Sequence, residues 1–339
     1  MAHSAKAWTA IALFAVLALL PVVAHALKEP FDISYAARVM IFGLAALSLN
    51  LILGFGGMTS LGHAAFLGIG AYTVGLLMHN GVVNGFVHIA AVLASGAASS
   101  LLIGSLCLRT GGLSFIMLSL AFAQLLYVIS TGLKGIGGDD GFSFRGRSDF
   151  IWFSLADDTA LYYFILACLA GSILLVYRLI DSRFGLVLRG IKSNERRVES
   201  VGLHAYRYKL VAFAISGTIC TVAGGLLANL AQFVSPSYMH WGRSAELLVM
   251  ALLGGMASVL GPVVGAAAYM LLEEGLGQTT RHWQAPLGLI LMVVVIFARN
   301  GLAGFATSVW RKIRGVKPEF ESGTGTVTRA RAAAGAGTT

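Results

Sequence analysis

The sequence predicts an all-α polytopic membrane protein with about ten transmembrane helices, some broken at glycines, and both termini cytoplasmic. Three observations carry that prediction. The 339 residues are 57% hydrophobic and only 12% charged, where soluble domains use about 25% charge to dress a water-facing surface. The apolar residues fall in runs near the roughly 20 residues a helix needs to cross a bilayer. The net charge of +9 is concentrated rather than spread. These features exclude an ordinary cytosolic enzyme, a disordered chain and a secreted disulfide scaffold. Cys107, Cys168 and Cys220 each sit inside an apolar run without metal-ligand spacing, so they read as small buried hydrophobes. The 42 glycines suit close helix packing in lipid.

The apolar runs lie at 7–27, 33–54, 61–79, 86–107, 113–133, 160–180, 209–233, 244–257, 259–274 and 285–305. Segment 244–274 reads either as two crossings or as one helix broken at Gly254 and Gly255. Basic residues in short loops face the cytoplasm. Segment 178–209 holds Arg178, Arg183, Arg189, Lys192, Arg196, Arg197, Arg207 and Lys209, and the tail opens with Arg311, Lys312, Arg314 and Lys317. Loop 134–159 carries Asp139, Asp140, Asp149, Asp157 and Asp158, which suits the opposite face. Counting crossings between these anchors makes 244–257 and 259–274 separate spans. Residues 1–310 then form the transmembrane domain, and 311–339 a basic, disordered cytoplasmic tail. The first run has a second reading. Lys6, the apolar stretch and Ala24-His25-Ala26 resemble a signal peptide with a small-x-small cleavage site.

The cytoplasmic loop 181–208 has internal order. Asn194 is a good N-cap, and Glu195 in the first turn favours the positive helix end. Gly202 can adopt the left-handed conformation that ends a helix. Val198 and Val201, three apart, are expected to share one face. The loop either sets topology and lies against anionic lipid, or presents a short amphipathic helix to another protein.

Gly190-Ile191-Lys192-Ser193-Asn194-Glu195-Arg196-Arg197-Val198-Glu199-Ser200-Val201-Gly202-Leu203 resembles the cytoplasmic loop of permease subunits in branched-chain amino acid ABC importers of the LivM/LivH type. Ser48-Leu49-Asn50 to Gly57, Ser60-Leu61-Gly62-His63-Ala64-Ala65-Phe66, Gly254-Gly255-Met256 and Leu260-Gly261-Pro262 are similar to the same family, in the same order. So is Gly112-Leu113 to Gln124 followed by Gly137-Gly138-Asp139-Asp140-Gly141, and the likeness spans roughly 35–305. Arg299-Asn300-Gly301-Leu302 departs from it, since such permeases often carry proline before Gly-Leu. The resemblance implies a multi-pass protein of the bacterial inner membrane. It implies a homologous permease partner in a heterodimer, two cytoplasmic ATP-binding subunits and a periplasmic or extracellular substrate-binding protein. The loop helix becomes a coupling helix, with Glu195, Arg196, Glu199 and Gly202 at the ATPase contact.

Energy must then come from the partners. A nucleotide site needs a P-loop after a strand. Gly190-Ile191-Lys192-Ser193 places its glycine one residue too early, and no strand precedes it. No cofactor is expected on this chain, ATP being bound by partner subunits, and no nucleic acid. An ion-coupled secondary transporter of small neutral solutes would need intramembrane acids and bases, and only Arg38 and Glu246 lie in predicted spans, with Glu273 and Glu274 at a boundary. A membrane serine protease needs a serine activated by histidine. Ala214-Ile215-Ser216-Gly217 lacks the first glycine of a Gly-x-Ser-Gly pattern, and Ser60 and His63 have no orienting acid nearby. The chain is therefore expected not to be an enzyme.

Gly56-Gly57-Met58-Thr59-Ser60 and Gly254-Gly255-Met256-Ala257-Ser258 read as helix breaks. Their likeness hints at an internal repeat; an inverted repeat would put them on opposite sides, whereas the ten-span count puts both on the cytoplasmic side. Asn50, Ser60, His63, Ser119, Gln124 and Gln232 are polar groups in or beside apolar runs. They read either as interhelical ties or as part of a translocation path, to which Asn50, Ser60, His63 and Gln124 are assigned. The binding protein selects the ligand in such systems, so a urea or short-amide permease is the alternative to an amino-acid permease.

Overall fold

The computed structural model describes residues 17, 21, 30–150, 153–256, 258–279, 282 and 284–297. Apart from Leu17 and Pro21, the first predicted span lies outside the described residues. So do the 299–302 motif and the tail. The chain is predominantly helical, as the composition predicts. Eleven named helices run in order: α1 (Pro30–Asn50), α2 (His63–His79), α3 (Gly85–Cys107), α4 (Leu113–Gly132), α5 (Asp158–Asp181), α6 (Arg183–Ser193), α7 (Glu195–Ser200), α8 (Ala205–Ala231), α9 (Trp241–Gly254), α10 (Gly261–Thr279) and α11 (Gln284–Phe297). Among the described residues, five segments are long and apolar enough to cross a bilayer: Ile33–Phe55, Gly85–Cys107, Leu113–Gly132, Asp158–Asp181 and Ala205–Ala231.

Helix α1 is the hub. Its residues Leu44, Ala45, Ala46, Leu47 and Leu49 are fully buried, because α5, α8, α9 and α10 pack around it. A helix apolar on every side belongs inside a bundle rather than on its rim. Helix α2 packs along α8 at backbone range. A Cβ on Gly224 would stand 1.8 Å from the Leu67 carbonyl oxygen, and one on Gly70 would stand 1.9 Å from that of Thr221. Only glycine permits this approach, which is the use glycine finds in membrane bundles.

The bundle has two distinct ends. One, the basic end, carries α6, α7 and the start of α8. The other, the acidic end, carries residues 134–157 and the end of α8. Two short antiparallel pairings decorate it: β1 (Phe142–Ser143) with β4 (Phe233–Val234), and β2 (Asp149–Phe150) with β3 (Phe153–Ser154). The sequence reading held no strands. These are two-residue pieces without periodicity, so tertiary pairing alone creates them.

Two of the predicted apolar spans are incomplete as helices. Helix α2 has 17 residues, about 25 Å at 1.5 Å per residue, and begins only after an irregular stretch, 56–62. Helix α9 has 14 residues and follows an irregular stretch, 232–240. Residues 244–257 are therefore not a self-sufficient span; the acidic-end part of that passage is β4 and the turn Pro236–Met239. Helices α9 and α10 are separate, and they pack antiparallel at glycine range, Gly254 against Gly261 and Gly265 against Met250.

Candidate functional site

At the end of α1 the α-helix gives way to a π-helical turn, Leu51–Phe55. Such turns are rare and favour functional positions. Here the bonding is explicit. In a continuing α-helix the Met58 N–H would serve the Gly54 carbonyl. It donates instead to the Ile52 carbonyl at 2.9 Å. The Gly54 carbonyl accepts from Lys192 Nζ at 2.6 Å. Lys192 lies in the last turn of α6, in the segment weighed above as a phosphate loop; Gly190 to Ser193 are helix there, not loop. Its stem lies along Gly57, whose φ of +69° excludes most side chains.

The same turn meets the second glycine break. Asn50 Nδ2 donates to the Ser258 carbonyl at 3.0 Å, and a Cβ at Gly54 would stand 2.4 Å from the Met256 carbonyl oxygen. So 56–60 and 254–258 lie together at the basic end. They are not the opposed halves of an inverted repeat. The irregular stretch that sits at the opposite end from 56–62 is 232–240, which the sequence reading did not single out beyond Gln232.

The predicted path residues are distributed between this junction and a buried seam. Asn50, Ser60 and His63 are fully buried. Ser60 Oγ accepts from Gly62 N–H at 3.2 Å, and Ser119 Oγ accepts from Leu61 N–H at 3.2 Å. His63 Nε2 lies 2.8 Å from Ser216 Oγ, while Ser216 Oγ donates to the Ser48 carbonyl at 2.5 Å. A hydroxyl has one proton. Since Ser216 gives it to Ser48, His63 must donate from Nε2 to Ser216. The histidine is thus a donor to this serine, not its base. The pairing of His63 with Ser216, of which the sequence reading weighed each half separately, ties α1, α2 and α8 and is not a nucleophile–base pair. Ser244 Oγ, missed in the sequence, accepts from Ala64 N–H at 2.9 Å and adds α9 to the seam. Gln124 is half-buried on α4 with its Oε1 unpartnered among the described residues. Gln232 caps α8 in the left-handed conformation, φ 52°. The structure brings Asn50 to the basic-end junction and Ser60, His63 and Ser119 to the seam; it does not gather Gln124 or Gln232 with them.

The loop helix forms where the capping residues predict it. Asn194 Oδ1 accepts from Arg197 N–H at 3.1 Å, and Gly202 takes φ 87°. Glu195 pairs with Lys209 at 2.5 Å. Helix α7 buries none of its residues. Val198 and Val201 do not form one buried face: Val198 is half-buried beside Gly190, where an added Cβ would stand 3.2 Å from its Cγ2, whereas Val201 caps the helix end and is 75% exposed. Ahead of it, the sequence reading missed α6, an 11-residue amphipathic helix that buries Gly185, Leu188 and Ile191.

A family described as "Branched-chain amino acid transport system / permease component" matches residues 33–298. The chain belongs to this family. It is similar to the high-affinity branched-chain amino acid transport system permease protein LivM of Escherichia coli (strain K12), 27% identical over 315 residues, 84% of this chain and 74% of that protein. It is similar to the LivM protein of Salmonella typhimurium at 26% over the same coverage. It is also similar to the ribose import permease protein RbsC of Bacillus subtilis, 23% identical over 52% of this chain and 55% of that protein. This permease is accordingly a multi-pass transport subunit of the membrane and not an enzyme. Helix α9 starts at Trp241 and takes in Arg243 and Glu246, and α10 runs to Thr279 and takes in Glu273 and Glu274.

Proposed function

We propose that this permease pairs with a homologous permease in the bacterial inner membrane and imports branched-chain or other hydrophobic amino acids, driven by two cytoplasmic ATPases and supplied by an external binding protein. Family membership and the two LivM relatives support the importer and the cargo class. The basic end faces the cytoplasm in this reading, in keeping with its excess of lysine and arginine, and residues 311–339 follow as a cytoplasmic tail. ATP stays on the partner subunits.

The observation that carries the mechanism is that α7 buries nothing of its own, while the adjoining α6 reaches the π-turn of α1 through Lys192. Glu195, Arg196 and Glu199 stand on an open face that an ATPase cleft can grip, and Gly202 ends the gripped element. Closing of the ATPases moves α6 and α7 together, and the Lys192 contact passes that motion to the junction of the two glycine breaks. Asn50 shifts with it. The buried seam of Ser60 and His63 holds the helices between which the path opens, and Gln124 lies farther along α4.

The test is co-purification. Replacing Glu195 and Arg196 together with Ala is expected to release the ATPases from the membrane complex while the permease pair stays assembled. Full retention of the ATPases would sink the coupling role of 194–202. A second reading, an ion-coupled carrier acting alone, draws support from the charges on α9 and α10. Uptake by the purified chain in ATP-free vesicles under an ion gradient would favour it.

A further inference from the structure

Charged side chains at membrane depth are rare, and they face a bundle interior or a water-filled cavity. Five gather on one face of this protein, between α1, α9 and α10. Arg243 of α9 forms an ion pair with Glu246 at 2.6 Å and lies over the Phe42 ring, 5.9 Å from its centre. Arg38 sits one helical turn from Phe42 toward the acidic end, inside the apolar segment Ile33–Phe55. From α10, Glu273 lies in the field of Glu246, Arg243 and Arg38, and Glu274 stands beside Tyr35. The face is open: the Arg243 and Glu246 side chains are 36% and 28% exposed, Arg38 is exposed, and Glu273 and Glu274 are half-buried. Lipid is an untenable neighbour for such a set.

The charges do not neutralise one another. Arg243 and Glu246 are paired, but among the described residues Arg38, Glu273 and Glu274 make no ion pair. One cation outside any ion pair therefore stands near two carboxylates that are likewise outside any ion pair, Glu274 beside the Tyr35 hydroxyl. A ligand that answers both signs at once carries a carboxylate and an ammonium on a short neutral body. Urea, a short amide or a sugar offers neither.

We propose that Arg38, Arg243, Glu246, Glu273 and Glu274 form the contact on the translocation path that recognises the zwitterionic head of an α-amino acid, its carboxylate at the two arginines and its ammonium at the acids of α10. The inference rests on the importer reading and names its substrate class within this chain rather than in the binding protein alone. The site is shallow and half-solvated, so it guides the head group without trapping it. Arg243 is held by Glu246 in the orientation that leaves the rest of its guanidinium fork open.

The test uses the complete transporter, with its permease partner, ATPases and binding protein, in proteoliposomes. L-Leucine is the probe, and urea and D-ribose are the neutral comparisons. The wild type is expected to carry leucine and neither neutral solute. Arg38→Gln is expected to lower leucine uptake per ATP hydrolysed by about tenfold, the effect of losing one hydrogen-bonded charge. The double exchange R243E/E246R keeps an ion pair and the total charge while reversing its polarity, and is expected to lose as much. Unchanged uptake in Arg38→Gln, or recovery in the exchange, overturns the proposal. So does loss of the permease partner from the Arg38→Gln complex, which would assign the charge to subunit contact. Carriage of urea or ribose by the wild type overturns the zwitterion reading and leaves the importer standing. Absence of any ATP-dependent uptake sinks the importer reading itself.

Discussion

The two irregular stretches are built in opposite ways. At the acidic end, 232–240 is fastened by backbone. Phe142 and Ser143 pair with Val234 and Phe233, Phe144 N–H donates to the Gln232 carbonyl at 3.2 Å, and Met239 fills the space beside Gly68. Next to it, Asn229 Oδ1 accepts from both the N–H and the hydroxyl of Ser148, at 2.9 and 2.8 Å, and His88 closes the network 2.7 Å from that hydroxyl. At the basic end, 51–62 is held across the bundle by side chains reaching single carbonyls: Lys192 to Gly54 and Asn50 to Ser258. A backbone ladder fixes many atoms together, whereas one ammonium on a flexible stem can let go and re-form elsewhere. The acidic end is a fixed frame, and the basic end is where a pull on α6 has something to move.

Both ends are joined through the α2–α8 contact, and there the largest effect is expected. Gly224→Val would drive a side chain into the Leu67 backbone, 1.8 Å from where its Cβ must stand. No rotamer relieves a clash with backbone, so the cost exceeds the roughly 1–3 kcal/mol of ordinary overpacking. Size-exclusion profiles of detergent extracts should show no assembled permease pair. A normal profile would mean that the two helices can separate, and that the frame is not rigid.

Next comes the frame itself. Asn229→Ala leaves the buried Ser148 N–H without its acceptor, while the Ser148 hydroxyl keeps His88 Nδ1 at 2.7 Å, and the stability of the purified complex should fall by about 2 kcal/mol. Thermal unfolding in detergent reads this. Leucine uptake per ATP by the complexes that survive should be near wild type. An unchanged melting profile combined with lost uptake would make the acidic end a moving part and erase the contrast.

Much of this was legible in the sequence, and the reasons are local. Asn194 and Gly202 mark their helix by backbone chemistry that needs no tertiary partner, so α7 appears where they predict it. The glycine breaks were visible as composition. That 56–60 and 254–258 touch was not, because it depends on how α9 and α10 fold back against α1. Val198 and Val201 misled because a three-residue spacing says nothing of what lies opposite: Val198 packs back on the protein, while Val201, at the helix end, meets no partner among the described residues that covers it. Arg243 was hidden because the apolar run opens at 244, whereas α9 starts at Trp241. A hydropathy window cuts a span at the first charge, whereas this bundle carries its helices past the charge and turns it toward an open face. His63 and Ser216 were noticed separately, but the direction of their hydrogen bond follows only from Ser48 taking the serine proton.

The smallest change in stability belongs to Lys192, and it tests the contrast most directly. Lys192→Met keeps the apolar stem along Gly57 and removes the ammonium from the Gly54 carbonyl. Water reaches this open edge, so the loss should be about 1 kcal/mol or less, and the ATPases should still co-purify. Yet the only hydrogen bond between α6 and the π-turn among the described residues is gone, and leucine uptake per ATP should fall by about tenfold, the scale of a typical coupling between sites. Lys192→Arg, which can still donate to the same carbonyl, should recover most of it. If Lys192→Met transports as well per ATP as the wild type, motion reaches the glycine junction by another route, through the packing of Leu188 and Ile191 rather than through the ammonium.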